Sequence, residues 1–189
     1  FLLDYAVNII NFSQIQPYAD KLIAEGAYGV FVCGSTGECT SMTVAERKSV
    51  LEAWTKAVAG RILIIAHVGG TCQADCIELA RHAAGQRIDA VGAIAPFYFK
   101  PASVEELVDF YKPIAAAIAP IPFYTYHMPS VTGVNLPMKE FLEKGSHEIP
   151  NLNGIKFTSN NFMEMLECIR LEDGRFDILN GFDEMLLCG

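Results

Sequence analysis

The chain has 189 residues, of which 51% are hydrophobic, and a formal net charge of −8. This length is typical of a single domain, spanning residues 1–189, with enough apolar side chains to bury a substantial core. The longest basic run is Arg47-Lys48, which argues against a nucleic acid as the main partner. All apolar runs are well short of the about 18 residues that a membrane span needs, so we expect no membrane partner.

The N-terminal residues 1–4 have no basic flank and no long apolar region, so we expect no signal peptide and a cytoplasmic location. Six cysteines are present: Cys33, Cys39, Cys72, Cys76, Cys168 and Cys188. They form no C-x-x-C pairs, and Cys72 and Cys76 have no second pair at the spacing of a zinc site. We therefore expect free thiols and no metal.

Taken in chain order, helical periodicities alternate with short apolar runs that are typical of buried strands. Helices are predicted over about 12–25, from Thr43 onward, and over 73–84, 103–119, 137–143 and 161–171. Strands are predicted over 28–33, 62–66, 90–95, 122–126, 153–158 and 176–180. The second helix has the clearest start, because Thr43-Val44-Ala45-Glu46 is a capping box.

Apolar strands that alternate with helices imply a parallel sheet covered by helices, and hence an α/β fold. Two architectures remain open, a doubly wound sheet and a (β/α)8 barrel. A doubly wound sheet usually has a glycine-rich phosphate loop after its first strand. The loop Gly34-Ser35-Thr36-Gly37 matches neither common form of that motif.

Polar residues follow four of the predicted strands, where either architecture places its functional site. They are Ser35 and Thr36 with Glu38, Tyr126 with His127, Lys156 with Thr158, and Asp183 and Glu184 beyond Gly181. Carboxyl ends of parallel strands share one edge of a sheet, so we expect these residues to lie near one another.

Lys156 is the lysine that a buried strand would carry, whereas the other seven lie in helix-like or loop-like surroundings. Burial disfavours the ammonium form and frees an amine that can attack a carbonyl carbon. Two other interpretations stay open: a side chain that reaches solvent from a strand end, and an amine paired with a carboxylate.

The neighbouring groups suit imine chemistry on a 2-oxo acid. Ser35 and Thr36, in a glycine-flanked loop, can hold a carboxylate, and Tyr126 can shuttle a proton. Simpler interpretations also exist: the loop is a plain turn, Tyr126 is a core aromatic, and the acidic pair caps a helix begun by Phe182. We expect His67 and His127 to be hydrogen-bonded strand-end residues.

Three segments carry a family resemblance: Gly34-Ser35-Thr36-Gly37-Glu38, Tyr126-His127-Met128-Pro129 and Gly154-Ile155-Lys156-Phe157. In this order and at this spacing they resemble the N-acetylneuraminate lyase and dihydrodipicolinate synthase superfamily. The resemblance implies a (β/α)8 barrel and a pyruvate Schiff base on Lys156. It also implies that Ser35 and Thr36 bind the pyruvate carboxylate, that Tyr126 transfers protons, that no cofactor is needed, and that the whole protein is a homotetramer.

Within the superfamily the resemblance favours the lyase branch, which cleaves the sialic acid N-acetylneuraminate to N-acetylmannosamine and pyruvate. Ser130 and Val131 follow Pro129, where the synthase usually has an arginine two residues on. The segment from Gly181 to Glu184 resembles the part of the lyase that binds sugar hydroxyls. Thr158, Gly181, Asp183 and Glu184 are thereby implied in substrate binding.

Three alternatives remain: a 2-keto-3-deoxy sugar acid aldolase, a dihydrodipicolinate synthase, and a truncated non-catalytic paralogue. The first barrel strand, with its Thr-Pro signature, and the eighth strand are not found in the sequence. We therefore expect an incomplete barrel that holds about strands 2–7, from a longer enzyme.

Overall fold

The computed structural model describes residues 3–4 and 9–187. The predictions for Cys188 and for most of residues 1–4 fall outside the described residues. A two-residue antiparallel pair, β1 (Leu3–Asp4) with β2 (Ile9–Ile10), precedes the main sheet. The sequence did not predict this pair, because two residues are too few to show a periodic pattern.

Six parallel strands form the main sheet, and they confirm the six predicted strands. They are β3 (Gly29–Val32), β4 (Leu63–His67), β5 (Ala90–Ile94), β6 (Phe123–His127), β7 (Leu152–Phe157) and β8 (Asp177–Asn180). Their spatial order is the order of the chain, β3-β4-β5-β6-β7-β8. A doubly wound sheet reverses its strand order at a switch point, and this sheet has no such reversal.

Helices connect the successive strands on the outer face of the sheet. They are α1 (Ile15–Ala24), α2 (Val44–Val58), α3 (Gln73–Ala84), α4 (Val104–Ala116), α5 (Pro129–Thr132), α6 (Met138–Glu148) and α7 (Phe162–Arg170). None of the described helices is long and apolar enough to cross a membrane.

Two helices differ from their predictions for identifiable reasons. The prediction ended α6 at residue 143, but the helix continues through Gly145 to Glu148. A Cβ at Gly145 would lie 3.0 Å from the Leu152 side chain, so this glycine serves close packing against β7 and does not end the helix. The short α5 was not predicted, because four residues are too few to show a helical period; Pro129 starts this single helical turn.

The sheet is strongly curled. Adjacent strands lie about 4.8 Å apart, so a flat sheet would hold β3 and β7 about 19 Å apart. The Lys156 Nζ on β7 nevertheless lies 5.2 Å from the centre of the Phe31 ring on β3. The Phe31 and Tyr126 rings, from β3 and β6, are 5.4 Å apart. The fold is therefore that of a (β/α) barrel, present here as six consecutive strands with β3 and β8 at its edges.

The core has two parts, one between the sheet and the helices and one inside the curl. Tyr111 of α4, Phe141 of α6 and Phe123 of β6 are fully buried in the outer part. Inside, Phe31 occupies space that Gly92 leaves open, since a Cβ there would lie 2.8 Å from the phenyl ring. At the carboxyl ends of the strands, polar side chains replace the apolar residues of this inner part.

The capping box predicted at Thr43 is present. The Glu46 N–H donates to Thr43 Oγ1 (3.3 Å), and the Thr43 N–H donates to Glu46 Oε2 (2.7 Å). We expect Thr43→Ala to lower the free energy of unfolding by about 1 kcal/mol, measured by urea denaturation, because the Glu46 N–H at the start of the helix loses its acceptor. Thr55→Ala, which removes a hydroxyl near the C-terminal end of α2, is the control. An equal loss in both variants would contradict the assignment.

Candidate active site

The Lys156 side chain points into the curl of the sheet. Its Nζ lies 3.8 Å from the centre of the Tyr126 ring and 5.2 Å from that of Phe31. It donates a hydrogen bond to Thr158 Oγ1 at 3.3 Å. These contacts place the amine of the half-buried Lys156 among residues from three strands.

The amine also lacks an ion-pair partner. Among residues 3–4 and 9–187, no carboxylate lies within 4.0 Å of Lys156 Nζ, although seven other lysines and arginines do form such pairs. The aromatic faces of Tyr126 and Phe31 take the place of a carboxylate. The amine is therefore not held by a charge that a substrate would have to displace.

Thr158 and Gly181 pack directly against the amine. Thr158 follows β7, and its N–H donates to the His127 carbonyl at 2.8 Å. Gly181 follows β8, and its N–H donates to the Phe157 carbonyl at 2.8 Å. A Cβ at Gly181 would lie 2.2 Å from Thr158 Oγ1 and 2.9 Å from Lys156 Nζ. Only glycine fits at this position, so Gly181 adjoins the lysine itself.

Tyr126 contacts both the core and the loop after β3. Its ring is buried and meets Phe31 and His67 edge to face, at centroid distances of 5.4 and 5.8 Å. Its hydroxyl lies 3.3 Å from Ser35 Oγ and donates to Met128 Sδ at 3.1 Å. Tyr126 is thus a core aromatic with a polar end that reaches the site.

The loop after β3 holds Ser35 beside Tyr126 although 91 residues separate them. The Glu38 N–H donates to the Ser35 carbonyl at 3.0 Å, and the Cys39 N–H donates to the Gly34 carbonyl at 3.4 Å. The loop is therefore a closed turn, as the simpler interpretation had it, and also presents a hydroxyl to the site. Thr36 is exposed in the same loop.

The acidic pair lies at the same edge of the sheet but apart from the lysine. Asp183 and Glu184 are exposed in a single 3₁₀ turn that follows β8. Within the described residues neither makes a hydrogen bond or ion pair with Lys156 or Tyr126. The Phe182 N–H at the start of this turn donates to Asn180 Oδ1 (3.0 Å), so the acidic pair does not act as the predicted cap.

His67 is a structural residue, as expected. Its Nδ1–H donates to the Cys33 carbonyl at 2.7 Å, and its Nε2 accepts from the Ile94 N–H at 3.2 Å, which joins β3, β4 and β5. Burial, followed by the neighbouring Arg47 guanidinium, lowers the pKa of His67 to about 3. Arg47 donates to the His67 and Gly69 carbonyls. No local pattern distinguishes Arg47, because its position on α2 looks like that of any surface arginine.

His127 differs from its prediction. Its ring packs on Phe157 at 5.1 Å, and its Nε2 is buried without a hydrogen-bond partner among the described residues. The expectation of a hydrogen-bonded histidine was wrong here, because the ring faces the apolar layer behind β6 and β7. Burial lowers the pKa of His127 to about 4.

Five cysteines lie in the described part of the chain, and all five are free thiols. Burial raises the pKa of Cys33 to about 11, raises the pKa values of Cys76 and Cys168 to about 12, and also raises the pKa of Cys39. Cys72 is exposed. In the described part of the chain, no group of three or more His, Cys, Asp or Glu side chains could hold a metal ion.

Comparison with known proteins gives a family and a group of relatives. The profile of the "Dihydrodipicolinate synthetase family" matches residues 7–189. The N-acetylneuraminate lyase of Homo sapiens is 40% identical over 181 residues, which cover 94% of this chain and 57% of the human protein. That of Mus musculus is 39% identical with the same coverage. The chain thus spans less than two thirds of the length of these relatives.

Solved structures agree with this placement. The Proteus mirabilis N-acetylneuraminate lyase superposes with a TM-score of 0.96 at 39% identity, over 100% of this chain and 63% of that chain. The sialic acid aldolase of Aliivibrio salmonicida superposes with a TM-score of 0.94 at 43% identity, over 97% of this chain and 61% of that chain. The dihydrodipicolinate synthase of Aquifex aeolicus superposes with a TM-score of 0.87 at 27% identity, over 93% of this chain and 59% of that chain.

The burial of His127 predicts a pH dependence of stability. Between pH 6.5 and about 4 the unfolded chain binds a proton that native His127 does not. Stability is therefore full above pH 6.5 and falls with falling pH, by up to about 1.4 kcal/mol per pH unit for this residue. We expect His127→Asn to flatten the slope of unfolding free energy against pH in this window. His147→Asn, at an exposed position on α6, is the control. A slope in His127→Asn equal to that of the natural chain would contradict the prediction.

The tight packing at Gly181 predicts that a larger residue at this position destabilises the fold. We expect Gly181→Ala to lower the free energy of unfolding by about 1–3 kcal/mol, because the new methyl group overlaps the Thr158 hydroxyl and crowds the Lys156 amine. The matched control is Gly85→Ala at the end of α3, where the nearest atom to the new Cβ is 3.4 Å away. Urea denaturation of both variants measures the difference. Equal stability in the two variants would show that the space beside Lys156 is not restricted.

Proposed function

Because the chain belongs to the dihydrodipicolinate synthetase family, we propose that it carries the site of a class I aldolase. In this proposal the Lys156 amine forms an imine with the keto carbon of a 2-oxo acid. The finer proposal is the reversible cleavage of N-acetylneuraminate to N-acetylmannosamine and pyruvate, a carbon-carbon lyase reaction.

The observation that carries the proposal is the environment of the Lys156 amine. It lies inside the curled sheet, against the Tyr126 ring and the Thr158 hydroxyl, with no carboxylate within 4.0 Å among the described residues. A nucleophilic amine must spend time without its proton, and a nearby carboxylate would hold that proton in place. The surroundings of Lys156 therefore suit nucleophilic attack better than an ion pair would.

The chemistry proceeds in four steps on this arrangement. Lys156 Nζ attacks the keto carbon of the open-chain sugar acid, and loss of water leaves a protonated imine. The imine then accepts the electron pair of the neighbouring carbon-carbon bond as the adjacent hydroxyl loses its proton. The aldehyde sugar leaves, and the remaining enamine gains a proton. Hydrolysis of the resulting imine releases pyruvate and restores the amine.

Tyr126 and the loop after β3 are assigned proton transfer and binding of the substrate carboxylate. The Tyr126 hydroxyl lies beside Ser35 Oγ at 3.3 Å, so a carboxylate bound by the Ser35 and Thr36 hydroxyls would lie next to it. We assign proton transfer to Tyr126, because its ring lies 3.8 Å from the amine and its hydroxyl lies beside this loop. Held between the loop and Lys156, the keto carbon would lie within reach of the amine.

The sugar-acid substrate is supported by the relatives and by the acidic pair. The relatives named N-acetylneuraminate lyase are 39–40% identical to this chain. Asp183 and Glu184 are exposed beyond β8 at the edge of the sheet that holds Lys156, where a polyol tail could bind. Thr158 and Gly181 line the path between them and the amine. Val131 stands where a synthase-type arginine would bind a dicarboxylate instead.

Reductive trapping tests the imine directly. We expect sodium borohydride with pyruvate to add the mass of pyruvic acid less one oxygen atom to the peptide that contains Lys156. Lys156→Met should lose this product, since the nucleophile is gone. Lys139→Met, an exposed lysine of α6 paired with Glu143, is the control and should be trapped normally. A product on another lysine, or none on Lys156, would overturn the mechanism.

Activity assays of the same proteins distinguish the candidate substrates. Release of pyruvate from N-acetylneuraminate supports the lyase. Release only from 2-keto-3-deoxy sugar acids, or pyruvate condensation only with an aspartate-derived aldehyde, would assign another member of the family.

A further inference from the structure

Three polar atoms at the site form a short hydrogen-bonded group that ends on sulfur. Ser35 Oγ lies 3.3 Å from Tyr126 OH and 3.8 Å from Met128 Sδ, and Tyr126 OH lies 3.1 Å from the same sulfur. The two hydroxyls carry one proton each, and a thioether carries none. Met128 Sδ is therefore an acceptor within reach of both hydroxyls.

Met128, unlike the other side chains that contact Tyr126, can be oxidised by peroxides. Met128 is half-buried beside the exposed Ser35, so small molecules can reach it from the substrate side. Thioethers are oxidised by peroxides to sulfoxides, and sulfoxide reductases reverse the change. A sulfoxide oxygen is a far stronger hydrogen-bond acceptor than a thioether sulfur, which accepts only weakly.

We propose that Met128 makes this site sensitive to oxidation, so that its sulfoxide reversibly suppresses imine formation on Lys156. The inference rests on the function proposed above. Hydrogen peroxide transfers one oxygen atom to Met128 Sδ and leaves as water, so that the sulfur is oxidised and the peroxide reduced. The new oxygen accepts hydrogen bonds from both the Tyr126 and the Ser35 hydroxyls and occupies the space between them. Neither hydroxyl is then free to serve the substrate.

The thiols of the chain offer a competing explanation that an experiment must separate. Cys33, Cys39, Cys76 and Cys168 are buried with raised pKa values, so little reactive thiolate forms. Cys72 is exposed and would react with peroxide. Dithiothreitol reverses the disulfide and sulfenic forms of such thiols but leaves methionine sulfoxide in place.

The test compares the natural chain with Met128→Leu and Met163→Leu. Leucine is close to methionine in volume but offers no sulfur, and Met163 is 73% exposed on α7 and serves as the matched control. Each protein is treated with hydrogen peroxide and then with dithiothreitol. Peptide mass spectrometry measures oxidation at each methionine, and borohydride trapping with pyruvate measures imine formation on Lys156, relative to the same protein untreated.

We expect peroxide to slow trapping by about 100-fold in the natural chain and in Met163→Leu, which is the low end of what a lost proton-transfer group costs. Trapping in Met128→Leu should keep its untreated rate, and the two methionine sulfoxide reductases should restore the natural chain. Unchanged trapping with Met128 oxidised would overturn the inference. So would equal inhibition of Met128→Leu, or an unoxidised Met128 when Met163 has reacted. Absent trapping in untreated protein would instead contradict the proposed function.

Discussion

The Lys156 amine lies 3.8 Å from the centre of the Tyr126 ring, and this contact depends on the pairing of two adjacent strands. Tyr126 of β6 and Lys156 of β7 are direct partners in the parallel ladder, so both side chains point into the curl. A slip of one residue would turn the lysine toward the helices. The ring face gives a positive amine about 0.5–2 kcal/mol of attraction. The same contact therefore holds the Lys156 side chain inside the curl, beside Tyr126.

Glycines and polar contacts across β7 keep the space around this pair open. Gly154 lies one layer below Lys156, and its missing side chain leaves room for the backbone of β8, since a Cβ there would lie 1.8 Å from the Asp177 carbonyl oxygen. In that layer the Tyr124 hydroxyl donates to Asp177 Oδ2 at 2.9 Å, which joins β6 to β8 across the gap. Gly181 repeats the arrangement in the upper layer, beside the amine. The position of the edge strand β8 thus decides how closely the lysine is enclosed.

Much of this arrangement could be predicted from the sequence, because its signals are local. Apolar runs gave all six strands, the capping box gave the start of α2, and placement on a buried strand distinguished Lys156 from seven other lysines. The parts that failed depend on contacts between distant residues. Met128 is part of the site only because the loop after β3 folds back onto β6, across 91 residues. His127 Nε2 has no hydrogen-bond partner among the described residues, because its ring packs on Phe157 of the neighbouring strand. The spacing of residues in the sequence does not reveal this contact.

We propose that Lys156, Tyr126 and the loop after β3 act together on one 2-oxo acid. A crystal structure of the protein soaked with pyruvate would show whether they do. We expect continuous electron density between Lys156 Nζ and the keto carbon, with the carboxylate against the Ser35 and Thr36 hydroxyls and the Tyr126 hydroxyl beside it. A free Lys156 amine with pyruvate bound elsewhere, or an imine whose carboxylate points away from that loop, would contradict it.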